Sequence, residues 1–182
     1  MTKTILRAGF FAALATTAWA LAPAAAPGSI TIVGKQMNVP IEGKFKNFSS
    51  QIQFDPANPA AGKAAIEVDV ASIDFGDDNF NYELRTKPWF DAKTYPKATF
   101  TSSAIKPLGK DRLVVSGKLS IKGKSADVTV PVTLKTEGTA RVFEGTLPIK
   151  RTSFNVGEGE WRDTDVVADE VQIRFRLVVA PK

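Results

Sequence analysis

"RLVVSGKLSIKGKSADVTVPVTL", Arg112 to Leu134, is the stretch whose reading decides the fold class. Leu113, Val115, Gly117, Leu119 and Ile121 fall on every second position, and after Lys122-Gly123-Lys124 the alternation resumes with Ala126, Val128, Val130, Val132 and Leu134. Asp127, Thr129 and Thr133 occupy the intervening places. A period of two is the spacing of a half-buried strand, and two such runs across a short Lys-Gly-Lys turn predict a β-hairpin.

The same rhythm extends outward in both directions. In "DEVQIRFRLVV" the set Val171, Ile173, Phe175, Leu177 and Val179 opposes Gln172, Arg174 and Arg176, and in "AAIEVDVAS" the set Ile66, Val68 and Val70 opposes Glu67 and Asp69. Turn residues punctuate the runs at Asp55-Pro56-Ala57-Asn58-Pro59, Gly109-Lys110-Asp111 and Thr136-Glu137-Gly138. Short antiparallel strands with one apolar face each must bury those faces against one another. A closed barrel or a sandwich does so, and a barrel also removes exposed edges. The expectation is one all-β domain, an antiparallel barrel of about eight strands.

The first twenty residues stand apart. Lys3 and Arg7 precede the apolar run Ala8 to Ala18, which is too short to span a bilayer, and Ala18-Trp19-Ala20 offers small residues for signal-peptidase cleavage. Residues 1–20 therefore read as a cleaved signal peptide, residues 21–182 as the mature domain, and the periplasm as its location.

Composition narrows the chemistry. The chain has neither cysteine nor histidine. Disulfides, thiol catalysis, Ser-His-Asp triads and histidine metal or haem sites are thereby excluded. A formal charge of +5, which includes Lys3 and Arg7, is modest and scattered. The densest basic stretch, Lys106 to Lys124, carries no aromatics for stacking bases and reads as a solvated face, so nucleic acid is not an expected partner.

One segment breaks the alternation. From Asp77 to Thr94 the sequence predicts a short helix over Asn79 to Lys87, ended by Pro88, then one more helical turn before Pro96 opens a strand from Lys97 to Ile105. This partly helical connection can lie across an open end of a barrel. Its apolar residues Leu84, Trp89, Phe90 and Tyr95 read as a plug that can also touch ligand, and its charges as solvated ion pairs.

"ASIDFGDDNFNYELRTKPWFDAKTYPKATFTSSAI" (Ala71 to Ile105), "VSGKLSIKGKSADVTVPV" (Val115 to Val132), "RTSFNVGEGEW" (Arg151 to Trp161) and "GKFKNFSSQIQFDPANP" (Gly43 to Pro59) together resemble the YceI-like family of bacterial exported proteins, in consistent order over nearly all of the mature chain. The resemblance implies a lipocalin-like β-barrel with a short helical insertion, and binding of a polyisoprenoid or similar amphiphile, such as a quinone, in its interior. Many members carry a histidine in the first strand region, where this chain has "IVGKQMNVPIEG" with Lys35 and Met37; any role of that histidine is absent here.

The residues themselves leave a packed core and a lined tunnel both open, and the resemblance favours the tunnel. The candidate lining and lid are Phe45, Phe54, Val68, Trp89, Phe90, Phe100, Val115, Val128, Val130, Ile173 and Phe175. Phe45 is taken as inward because it shares parity with Ile41 and Gly43; Phe48, three residues on, should point outward unless a bulge intervenes at Asn47. Arg151 is the head-group candidate, set against a structural pair with a carboxylate such as Asp163.

The acidic tract Glu158 to Glu170 lacks the loop glycine and terminal glutamate of an EF-hand, and reads as a solvated loop rather than a calcium site. A paired-carboxylate hydrolase could be assembled from Glu158 or Glu160 with Asp163, but nothing in the sequence shows them facing a pocket. The function expected is a non-enzymatic carrier without metal or resident cofactor, apart from a bound polyprenyl quinone or other isoprenoid lipid. The alternative is a stress-related interaction protein with a packed barrel. The sequence leaves open a membrane-associated partner and a homodimer.

Overall fold

The computed structural model describes residues 28–180, so the signal-peptide reading lies outside the described residues. Ten strands run in chain order: β1 (Gly28–Gln36), β2 (Val39–Phe45), β3 (Phe48–Gln53), β4 (Lys63–Asp69), β5 (Ile73–Asp74), β6 (Lys97–Pro107), β7 (Arg112–Ile121), β8 (Lys124–Glu137), β9 (Ala140–Lys150) and β10 (Glu170–Val179). One helix, α1 (Asp78–Arg85), stands between β5 and β6. The strands form a single antiparallel sheet in the order β3-β4-β6-β7-β8-β9-β10-β1-β2-β5.

The count of about eight and the observed ten differ for a physical reason. β2 and β3 are consecutive in the chain, separated only by Lys46 and Asn47, yet β2 pairs with β1 and β3 pairs with β4 near the opposite margin of the sheet. They are two halves of one bent strand that changes partners at its kink, as strands do at barrel corners. The sheet must curl until its margins meet there. Lys46 N donates to Ser72 O (3.1 Å), Asn47 N to Ser72 Oγ (3.0 Å), and Asp69 N to Asn47 O (3.0 Å), which fastens the corner. β5 is only a two-residue addition to the end of β2.

The kink also settles the Phe45–Phe48 question. Both side chains are buried, because the break at Lys46–Asn47 resets the alternation that would otherwise send Phe48 outward. A register shift between Ser102 and Ala104 does the same within β6 and brings Phe100 and Ile105 to the same side despite their odd spacing.

The predicted hairpin forms as β7 and β8, with Ile121 opposite Lys124 and Leu113 opposite Val132. Its two turn residues, Lys122 and Gly123, have φ of 47° and 71°, the pattern of a type I′ turn. The β1–β2 turn uses Met37 and Asn38 in the same way (φ 48° and 65°). The inward faces of the strands form one core that includes Ile30, Val115, Leu119, Val130, Phe143 and Leu177. Fully burying each such side chain contributes roughly 1.5–3 kcal/mol.

Helix α1 begins where Asp77 accepts from Phe80 N (2.8 Å) and ends at Thr86, just before Pro88. The predicted span was one residue late at its start and two long at its end. Phe90 N and Ala92 N then donate back to Leu84 O and Arg85 O (both 3.0 Å), folding the segment into compact turns before β6.

Candidate functional site

The inward faces do not fill the barrel. They enclose a cavity of about 220 Å³, larger than the roughly 150 Å³ engineered void that stays dry and takes up benzene. Its wall is almost wholly apolar, running from Gly34, Ile41 and Val171 through Ile32 and Ile173 to Phe54, Leu113 and Phe143. At the far end Phe54 and Phe143 meet edge-on, with ring centroids 5.3 Å apart.

Glycines make room in this wall. A Cβ on Gly117 would lie 2.6 Å from the Phe100 ring, and one on Gly145 would lie 2.5 Å from the Phe175 ring. Both phenylalanines thus occupy space that a side chain at these positions would take, and both line the cavity. The sequence marked Gly117 as a small inward residue; what it could not supply was the ring that covers it.

The helical segment closes one end. Leu84 and Trp89 are buried, and with Phe80 and Phe90 they contribute to the lining. Phe90 packs edge-on against Phe45 (6.3 Å), and the Trp89 ring lies 5.5 Å from that of Trp161 in the β9–β10 connection. Tyr95 lies over Gly123 of the β7–β8 turn, outside the cavity lining.

Two buried cations hold this end together. Lys122, in the β7–β8 turn, directs Nζ to Asn155 O (2.7 Å), Pro88 O (3.3 Å) and Glu158 Oε2 (2.8 Å). Its side chain is 6% exposed, so the reading of the whole basic stretch as solvated fails at this residue. The one sequence signal was a lysine in a turn position where Asn, Asp or Gly is usual. The bond from Lys122 holds the Glu158 carboxyl below its ordinary range.

Arg151 is more deeply committed. Its Nε donates to Ala168 O (3.2 Å), one terminal nitrogen to Val156 O and Gly157 O (3.0 and 3.1 Å), and the other to Val167 O and Asp163 O (2.7 and 3.2 Å). A guanidinium has five N–H groups, and each has its carbonyl. The head-group assignment of Arg151 is therefore corrected: it lines the cavity but has no donor left for a ligand. The structural alternative is also modified, since its partner at Asp163 is the backbone carbonyl rather than the carboxylate. Burial lowers the pKa of Arg151 from that of a free arginine, while the charge of Asp169 works in the opposite direction.

Of the other sequence-predicted residues, Phe45, Phe54, Val68, Trp89, Phe90, Phe100, Val115, Val130, Ile173 and Phe175 line the cavity together. Val128 does not. It is half-buried and packs against the core, beyond the stretch of β8 that faces the space.

The acidic tract is used locally. Asp163 Oδ1 accepts from Asp165 N (2.9 Å), and Asp169 Oδ1 from the Thr152 hydroxyl and amide (2.7 and 3.1 Å). Glu158, Glu160 and Asp163 do not line the cavity. Among the described residues no group of three or more carboxylates is placed to hold a metal ion.

The family model for the YceI-like domain matches residues 19–179, which takes in every strand of this sheet. The chain belongs to the YceI-like family. Protein YceI of Escherichia coli O6:H1 is 34% identical over 124 residues, 63% of this chain and 62% of that protein. The chain thus spans about 62% of the length of that curated relative. The crystal structure of Burkholderia cenocepacia BcnA is 57% identical, covers 84% of this chain and 96% of its own, and superposes with a TM-score of 0.82. A Saccharophagus degradans domain described as polyisoprenoid-binding, and as implicated in plant cell wall breakdown, shares the YceI-like fold. It has a TM-score of 0.68 at 22% identity, covering 86% of this chain and 96% of its own.

Proposed function

We propose that the protein is a periplasmic carrier or reservoir for a long-chain amphiphilic lipid of the isoprenoid class, with prenyl quinones the leading cargo. The observation that carries this reading is the apolar cavity, whose wall recruits every strand on core-facing positions, the two-residue β5 through Ile73, and a helical segment at one end. Each ligand methylene moved from water onto such a wall contributes roughly 0.8 kcal/mol, so a prenyl chain can be held firmly without an elaborate polar site. Membership of the YceI-like family and the shared fold of the polyisoprenoid-binding domain support the lipid class. The same features support a binding protein rather than an enzyme. The cleavable-looking leader, Lys3 to Ala20, supports export.

The cavity has a mouth. Among its described lining residues Lys35 alone is exposed, which sets the opening at the tip of the β1–β2 hairpin, beside Val167 and Ala168. A chain entering there would lie along β1, β2 and β10 with its tail towards Phe54 and Phe143.

Native mass spectrometry of the mature protein taken from the periplasmic fraction tests the reading, followed by organic extraction and identification of what it carries. A stoichiometric isoprenoid establishes the carrier and names the cargo. An apo mass with no uptake of added prenyl quinone would leave the packed-barrel interaction protein as the better account.

A further inference from the structure

One polar atom stands out along the cavity. Trp89 is 5% exposed and lines the space, and its indole Nε1 is the one buried side-chain nitrogen or oxygen among the described residues without a hydrogen-bond partner. Buried indole N–H groups ordinarily find an acceptor, because leaving one unpaired forfeits its interaction with water and returns nothing. The surroundings are otherwise saturated. The nearby Arg151 guanidinium, 5.8 Å from the Trp89 ring centroid, spends all its donors on backbone carbonyls, and Lys122 has three acceptors of its own.

We infer that Trp89 Nε1–H is the donor that reads the cargo's head group, and that the head group it fits presents a neutral carbonyl oxygen rather than a phosphate. This rests on the lipid-carrier reading. A single neutral N–H satisfies one lone pair of a quinone-type or ketone-type oxygen. A phosphate carries several charged oxygens and needs several donors or free cations to replace its water. Arg151 supplies positive potential beside the indole but no N–H, which favours the partial negative charge of a carbonyl without meeting the demands of an anion.

The position suits a head group. Arg151 donates to Val167 O and Ala168 O, and Ala168 N donates to Lys35 O (3.0 Å), so Trp89 and Arg151 sit just inside the mouth that Lys35 marks. A ligand whose oxygen met Trp89 would have its head under the helical segment and its chain in the barrel.

The test compares three probes on the mature protein and on Trp89→Phe: a long-chain prenyl benzoquinone, squalene as an oxygen-free prenoid, and a prenyl monophosphate. Trp89→Phe keeps a ring and removes the N–H. The quinone-to-squalene affinity ratio is expected to fall about tenfold, the loss of one hydrogen bond of ordinary net strength. In the wild type the Trp89 indole ¹H–¹⁵N resonance, assigned with Trp161→Phe, should move downfield with quinone and not with squalene. That spectrum decides the matter even if Trp89→Phe folds poorly.

An unchanged affinity ratio, an indole resonance indifferent to quinone, or monophosphate binding as tightly as quinone would each overturn the inference and leave the carrier intact. Failure of the wild type to bind any of the three would overturn the carrier reading as well.

Discussion

The wall of the barrel and the cap at its Trp89 end are built on opposite principles. Along the wall every strand satisfies its neighbour's backbone, and the side chains need only be apolar on alternate positions. In the cap, residues 86–96, which follow α1, and residues 151–169 take irregular paths, and their carbonyls have no strand ladder to join. Arg151 and Lys122 supply the missing donors, between them reaching seven backbone carbonyls. Stability is spread across many residues in the wall, so single changes there are absorbed. It is concentrated in two side chains in the cap, so single changes there should be costly.

The sharpest way to break that contrast is Arg151→Met. It leaves five carbonyls without their charged donor, and the expected destabilisation is about 4 kcal/mol, read from the urea midpoint. A loss below about 1 kcal/mol would mean that the cap does not depend on this node. Lys122→Met should cost less, about 2 kcal/mol, since Glu158 is half-exposed and can return to water. Hydrogen exchange should then show faster opening of the Gly157 and Glu158 amides, which bond Pro88 O, while the β7–β8 ladder stays protected.

Within the wall, Val115→Trp and Val128→Trp form a pair. Val115 faces the cavity and Val128 does not, so the first should weaken uptake of a prenyl probe at least about tenfold and the second by less than about twofold. Both should remain folded by circular dichroism, with an overpacking cost of about 1–3 kcal/mol at most. Equal losses of binding would mean that the probe lies somewhere other than this space.

The smallest expected effect is a pH dependence specific to the cap. Burial alone would raise the Asp169 carboxyl, but the Thr152 hydroxyl and amide, with Lys150 and Arg151 nearby, bring it below its ordinary value. A carboxyl depressed in the folded state binds its proton more readily when unfolded. Its contribution is present at neutral pH and is lost as pH falls through the ordinary carboxylate range near 4 and below. Asp169→Asn should flatten that part of the stability–pH curve; an unchanged slope in urea titrations between pH 5 and about pH 2 would discount the Thr152 contacts.

The same division explains what could be read in the sequence. Alternation specified the wall: the hairpin from Leu113 to Leu134 and the inward sets of β4, β7, β8 and β10 are where the pattern puts them. It failed where the backbone departs from regular extension. Phe48 turns inward at the Lys46–Asn47 kink, and Val128 shares its parity with Val130 yet sits clear of the cavity. Parity gives the face of a sheet; how far along the strand the cavity reaches depends on its curl. Trp89 and Phe90 were legible as a plug from their hydrophobicity. The engagement of Arg151 and Lys122 was not, because their acceptors are backbone carbonyls, which every residue type carries.

The bent β2–β3 strand and the pairing of β1 with β10 bear on how the molecule assembles. The first strand described in the chain is hydrogen-bonded to the last, Ile30 opposite Phe175, while β3 must separately find β4. Closing so distant a pair costs loop entropy before any contact repays it, which sets such topologies among slow folders, in milliseconds to seconds. Until β10 arrives, β1 and β9 each present a bare edge with apolar side chains on one face. During that interval the chain is open to pairing with others of its kind, and a lipid already laid along β1 and β2 would have the last strand close over it.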